Sequence, residues 1–121
     1  MDLVVKTVHD GQRNGAIQVT GVAPLEWSAV ADVVDMKPQP RELVIDAVYY
    51  FIADKVQVTL GWQSDEETVA FLPLGGRGRV DMSEISGLKN IAKGPGHRIV
   101  LKAEGEGLFT VALDLSKHIG G

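Results

Sequence analysis

The stretch of residues 55–90, KVQVTLGWQSDEETVAFLPLGGRGRVDMSEISGLKN, decides the fold class of this chain. Over residues 56–62 apolar and polar side chains alternate, so they point to opposite faces of an extended chain. A polar run at 63–68 and a second apolar stretch at 69–74 follow, and Gly75-Gly76 ends the second stretch. The pattern predicts a half-buried strand, a loop, a second strand and a glycine turn.

Nine short runs that are typical of β-strands recur along the chain, with turn residues between them. They are Leu3 to Val8, Ala16 to Val22, Trp27 to Val34, Arg41 to Ile52, Val56 to Trp62, Val69 to Leu74, Arg79 to Met82, Ile99 to Ala103 and Leu108 to Leu115. Short strands at this spacing indicate a sandwich or barrel. We therefore predict an all-β, single-domain antiparallel β-sandwich over residues 1–121. A jelly-roll is one possible arrangement, with eight or nine short strands and at most one short helical turn.

Turn residues suggest how these strands connect. The Asp10–Gly15 segment, with Asp-Gly and Asn-Gly pairs, predicts that the first two strands pair or turn a corner. Ala53–Lys55 and Glu104–Gly107 are interpreted as hairpins. Pro38 and Pro40 cannot donate ladder hydrogen bonds, so they indicate a crossover between sheets. Ser83 to Ser86 is the candidate helical turn.

Composition excludes several function classes. The 121 residues are 45% hydrophobic and 23% charged, which is typical of a globular domain. A net charge of -4 argues against direct nucleic-acid binding, because phosphate neutralisation needs an excess of Lys and Arg. The chain has no cysteine, so it has neither disulfides nor thiolate metal ligands. No apolar run approaches the roughly 20 residues that span a bilayer, and the first residues lack a secretory signal pattern. We expect no membrane partner.

The sequence contains no motif that would indicate catalysis or a cofactor. The glycines and arginines of 75–79 are not followed by the Lys-Ser/Thr and helix of a phosphate-binding loop, so a tight turn is the preferred interpretation. The three histidines, at 9, 97 and 118, lack metal-ligand spacing. The acidic run 65–67 does not fit a calcium loop. There is no G-x-S-x-G elbow. We predict no enzyme activity, no cofactor, no metal site and no catalytic residue.

Aromatic residues offer two further possibilities. An exposed Trp27 or Tyr50 could form a sugar-stacking platform, as in a carbohydrate-binding β-sandwich module. Because Tyr49 and Tyr50 are adjacent in a predicted strand, one of them must face away from the core, where it could belong to an interface.

Four segments together resemble a known protein family. They are Lys6-Thr7-Val8-His9-Asp10-Gly11 with Arg13-Asn14 and Ile17 to Gly21, Val33 and Asp35 with the Leu43 to Tyr49 run, the stretch from Val58 to Asp81, and Ile85-Ser86-Gly87-Leu88-Lys89-Asn90. The chain resembles small structural proteins of tailed-bacteriophage virions. That resemblance implies a non-enzymatic capsid decoration or cement protein that stabilises the head shell. A head-tail or tail component is the alternative within the same resemblance.

The resemblance also implies partners and a location. The partners would be the major capsid protein lattice and further copies of this chain, in a dimer or trimer. The protein would be made in the bacterial cytoplasm and would lie on the capsid surface. We expect contacts from an N-terminal arm, 1–12, and from the C-terminal residues 117–121. The predicted interface residues are Leu3, Val5, His9, Tyr50, Asp65, Arg77, Arg79 and His118.

Overall fold

The computed structural model describes residues 3–11, 13–36, 39–82, 88–89 and 91–118. Its strands are β1 (Leu3–Asp10), β2 (Asn14–Asp32), β3 (Glu42–Ile52), β4 (Gln57–Gln63), β5 (Thr68–Leu74), β6 (Arg77–Asp81), β7 (Leu88–Lys89) and β8 (Arg98–His118). A single 3-10 turn, Val33–Asp35, accompanies them in the described residues. All strand pairs are antiparallel, which confirms the predicted all-β, single-domain fold class. The described part of the chain holds no helix long and apolar enough to cross a membrane.

The strands form two layers, which we call leaves. Two long strands, β2 and β8, each belong to both leaves. The first half of β2 pairs with the second half of β8, from Asn14 opposite Ser116 to Ala23 opposite Gly107. The second half of β2 pairs with the first half of β8, and Asp32 lies opposite Arg98 at its end. We call the first leaf the set β1, β2, β8, β3 and β6, with β7 also on β3. The second leaf is β2, β8, β4 and β5.

The lengths of β2 and β8 differ from the prediction. The described residues form eight strands, but β2 joins two predicted strands over 19 residues and β8 joins two others over 21. The predicted hairpin at Glu104–Gly107 is therefore wrong. Gly105 and Gly107 have positive φ, which bends a continuous strand here instead of reversing it. A Cβ on Gly105 would lie 1.9 Å from the carbonyl oxygen of Lys55, so only glycine lets the two segments approach.

The turn at Ala53–Lys55 also differs from the predicted hairpin. In the described residues β3 and β4 form no ladder with each other, because β3 lies in the first leaf and β4 in the second. Lys55 adopts a φ of 68°, and Val56 N–H donates to the Ala53 carbonyl to close the turn. The segment therefore carries the chain from one leaf to the other.

Other connections agree with the sequence. β1 and β2 pair, which is one of the two predicted outcomes, and β4 and β5 pair across the predicted loop. Gly75-Gly76 carries the chain from β5 in the second leaf to β6 in the first. The segment containing Pro40 crosses between leaves as predicted, whereas residues 37 and 38 lie outside the described residues. So does the predicted helical turn at Ser83 to Ser86. Where a strand was expected through Val34, β2 ends at Asp32, whose carboxylate accepts a hydrogen bond from Val34 N–H.

The predicted N-terminal arm is not an arm in the described residues. Leu3 to Asp10 form β1, which pairs with β2 along its length, with a bulge between Thr7 and His9. The segment is therefore an edge strand of the first leaf.

The core lies between the two leaves. Inward side chains of the first leaf, such as Val19, Ile45 and Leu113, pack in one cluster with Leu60 and Trp62 of the second. Trp62 also stacks on Phe71 with ring centroids 5.5 Å apart. The alternation that predicted a half-buried strand over 56–62 is confirmed, because its apolar face closes this core.

Candidate functional site

The outer face of the first leaf carries an exposed apolar patch. Val4, Phe51 and Leu108 are 61%, 62% and 64% exposed, and Val22 is 42% exposed. Strand register places Val4 beside Thr20, Thr20 beside Thr110, and Thr110 beside Phe51. Val22 lies opposite Leu108 in the adjacent row. We call Val4, Val22, Phe51 and Leu108 the outer-face patch.

The size of this patch follows from sheet geometry. Its longer row crosses four strands at about 4.8 Å spacing, so it extends about 14 Å across the sheet. Single exposed apolar residues are ordinary on protein surfaces, whereas a contiguous group on one face marks an interaction site. The outer-face patch is therefore the candidate contact surface of this leaf.

Charged and polar groups flank the patch on the same face. The Tyr49 hydroxyl donates a hydrogen bond to the Asp114 carboxylate at 3.0 Å, and the guanidinium of Arg79 lies 5.3 Å from the Tyr49 ring centroid. The hydrogen bond to Asp114 is the main reason that the pKa of Tyr49 is raised above its ordinary value. Arg79 also forms an ion pair with Asp81 at 3.2 Å. The flank is thus organised by contacts within the protein.

Of the two adjacent tyrosines, the exposed one is Tyr49. Tyr50 packs on the inner face and contributes to the core cluster, and a Cβ at Gly78 would meet its hydroxyl at 2.9 Å. The prediction that one member of the pair faces outward is confirmed, but the predicted interface residue Tyr50 is the inward one. A bulge in β3 between Ile45 and Ala47 determines which of the two tyrosines faces inward, and the sequence carries no signal for this bulge.

A buried ion pair anchors the edge strand β1. The ammonium of Lys117 contacts the Asp10 carboxylate, and the side chain of Lys117 is fully buried while that of Asp10 is 33% exposed. The two residues belong to different strands on either side of β2, where Gly15 lies opposite Asp10 of β1 and Lys117 N–H of β8 donates to the Arg13 carbonyl. The expectation that Lys117 belongs to a contacting tail is therefore wrong. Its charge is used inside the protein to hold β1 against the sheet.

A groove of about 300 Å³ opens beside β1, between the two leaves. Val5 of β1, Ile17 and Val30 of β2, and Met36 after the 3-10 turn form its apolar lining. His9 lies at its border, where its Nε2 is 3.2 Å from the Asn14 side-chain oxygen. Apolar core residues thus reach the surface at this edge of the sandwich.

The acidic loop at 65–67 is held by a second loop. Asp65 pairs with Arg98 at 3.0 Å, and Glu67 accepts a hydrogen bond from Lys93 N–H. The buried Ser64 hydroxyl donates to the Lys93 carbonyl and accepts from Glu66 N–H. These contacts hold the loop between β4 and β5 of the second leaf, whereas the outer-face patch lies on the first leaf. In the described residues no group of three or more His, Cys, Asp or Glu side chains could hold a metal ion.

Trp27 is not positioned as a free stacking platform. Its ring lies against Gly61, where a Cβ would come within 2.9 Å of it, and the Lys102 ammonium lies 5.2 Å from the ring centroid. Both contacts cover ring surface that a sugar would need. The structure therefore offers no specific observation in favour of carbohydrate binding at Trp27.

The structure groups only some of the predicted interface residues. Leu3, Val5 and His9 share β1, and Arg77 and Arg79 share β6 at the opposite edge of the same leaf. Asp65 lies apart from them, and His118 is opposite Glu42 at the end of β8.

Sequence reasoning missed Phe51 and Leu108, the most exposed members of the patch with Val4. The available signal was the one used for the tyrosine pair. Phe51 precedes Ile52 and Leu108 precedes Phe109, and two adjacent apolar residues in a strand cannot both face the core.

Comparison with known proteins gives little to add to this geometry. No family model matches the chain, and no curated protein matches it. One solved structure, Peruvianin-I, a cysteine peptidase from Thevetia peruviana latex, aligns over 99% of the chain at 11% identity with a TM-score of 0.47. The chain spans 64% of that protein's length. A match at this level carries no argument about function, and this chain contains no cysteine.

Proposed function

We propose that this protein is a non-enzymatic structural component of a tailed-bacteriophage virion that decorates and stabilises the capsid shell. The family resemblance of the sequence motivates the virion assignment. The outer-face patch is the single structural observation that supports a binding role, because it presents four exposed apolar side chains to a partner on one face of the first leaf. The partner would be the major capsid protein lattice, and the protein would lie on the capsid surface after synthesis in the bacterial cytoplasm.

The patch suits attachment in many copies. Its four apolar side chains stand on the regular pleated surface of the first leaf, so binding requires no ordering of a flexible segment. A modest contact repeated over a symmetric shell becomes stable attachment when the copies also hold one another. Decoration therefore requires only a weak contact from each copy.

Co-sedimentation with purified shells that lack this protein tests the proposal. Leu108→Lys and Phe51→Lys place a charge in the patch, and we expect each to reduce shell binding at least tenfold because the charge must lose its hydration in the contact. Val34→Lys is the matched control, since Val34 is 62% exposed but lies on the 3-10 turn. Equal binding by wild type, Leu108→Lys and Phe51→Lys would remove the patch from the proposal.

Copy number distinguishes decoration from the head-tail or tail alternative. Quantitative mass spectrometry of purified particles should find on the order of hundreds of copies if the protein follows the symmetry of the shell. A few copies per particle would indicate a neck or tail position, and none would refute the virion assignment.

A further inference from the structure

One side of the sandwich combines open strand edges with apolar surface. β1 ends the first leaf, and the second half of β2 ends the second leaf. The groove runs between these two edges, with Val5 on one wall and Met36 on the other. Strand edges beside apolar surface are places where a further strand can add.

The other sheet edges carry more protection against strand addition. β5 contains Pro73, which has no N–H to donate, and the five-residue β6 carries Arg77, Arg79 and Asp81. β1 has eight residues and no proline, and Val4, Val5 and Val8 on it are exposed. Its protective features are the charged residues Lys6 and Asp10 and the bulge after Thr7. Of the β1, β5 and β6 edges, β1 is therefore the most open to pairing.

We propose that a second copy of this chain binds at this side, with the two β1 strands antiparallel across a two-fold axis near Thr7. A second copy supplies both features that this side lacks, because it brings a strand for the β1 edge and an identical apolar groove to cover Val5 and Met36. The contact is isologous, so it closes at two copies. It uses the edge of the first leaf and leaves its outer face free, so it does not depend on the capsid proposal.

This antiparallel arrangement places no like charges opposite each other. With the axis at Thr7, Lys6 lies opposite Val8 of the second copy and not opposite the second Lys6, and threonine faces threonine, which is a favourable cross-strand pair. Asp10 is three residues from the axis, so the two Asp10 residues are about 20 Å apart at about 3.3 Å per residue. At 0.1 M ionic strength that is about two Debye lengths, so their repulsion is screened.

Because the chain has no cysteine, single substitutions report this geometry directly. We expect Thr7→Cys to form a disulfide-linked dimer under mild oxidation, which reductant reverses on a denaturing gel. Thr68→Cys is the matched control, an exposed threonine on the β5 edge, and it should remain uncrosslinked. Equal crosslinking at both positions, or a lack of crosslinking at Thr7, would overturn the proposed axis.

Light scattering with size-exclusion chromatography supplies the independent measurement. The wild-type mass should be twice that of one chain, and Val5→Lys or Val8→Lys should shift the dissociation constant at least tenfold toward monomer. Val22→Lys is the control, since Val22 is 42% exposed and Val5 is 40% exposed, and it should remain dimeric. A monomeric or trimeric wild type would overturn the proposal. A dimeric Val22→Lys that loses shell binding would separate this inference from the capsid proposal.

Discussion

The buried pair of Lys117 and Asp10 gives the sharpest prediction about stability. The Lys117 side chain is fully buried, whereas that of Asp10 is 33% exposed, so the two partners differ in how much water reaches them. Asp10→Asn removes the carboxylate charge that the buried ammonium contacts, although the amide oxygen can still accept a hydrogen bond. We expect a loss of about 3 kcal/mol, the lower end of the range for breaking a buried pair.

The reverse substitution should cost less. Lys117→Met removes the buried charge and fills the same space with an apolar chain, and it leaves a carboxylate that water can still reach. We expect a loss of about 1 kcal/mol. In the double variant no charge remains to be buried, so it should be more stable than Asp10→Asn alone by about 2 kcal/mol.

Urea unfolding at one fixed protein concentration measures these differences. With a slope of about 2 kcal/mol per molar, Asp10→Asn should lower the midpoint by about 1.5 M. Asp81→Asn is the control. The side chains of Asp81 and Arg79 are 47% and 57% exposed, so their ion pair should contribute under about 1 kcal/mol to the free energy of unfolding. If Lys117→Met cost as much as Asp10→Asn, or if the double variant were no more stable than Asp10→Asn, the burial argument would be refuted.

Two further predictions concern the bend in β8 and the flank of the outer-face patch. Gly105→Ala should destabilise the fold by at least about 2 kcal/mol in urea unfolding, because its φ of 94° disfavours a side chain and a Cβ would meet Lys55 at 1.9 Å. Wild-type stability in that variant would contradict the bend. Asp114→Asn should lower the pKa of Tyr49 toward its ordinary value in an ultraviolet titration, since Asp114 is the main cause of the raised pKa. Because the folded pKa is the higher one, the stabilisation by this contact is fully present below about pH 10 and is lost as pH rises through the folded pKa. An unchanged pKa of Tyr49 in Asp114→Asn would show that the hydrogen bond to Asp114 is not the cause of the raised pKa.

Local chemistry explains what the sequence predicted well. The alternation over residues 56–62 requires a strand with one buried face. The polar loop at 63–68 and the glycine pair after β5 require turns. The all-β class and the β4–β5 hairpin therefore follow from neighbouring residues alone. The same alternation predicted that Tyr49 and Tyr50 would face opposite sides. It also contains the signal for Phe51 and Leu108, since adjacent apolar residues in a strand cannot share a face.

The sequence by itself determined which segments are extended and which residues compete for the core, because these depend on side chains a few positions apart. Only the tertiary structure decided where those segments go. Whether Gly105 reverses a strand or bends it depends on Lys55, about 50 residues away, which passes too close for any side chain. Whether Lys117 lies in a solvated tail or in the interior depends on Asp10 at the other end of the chain. Contacts between distant segments set the energy of both positions, so no local pattern could have predicted them.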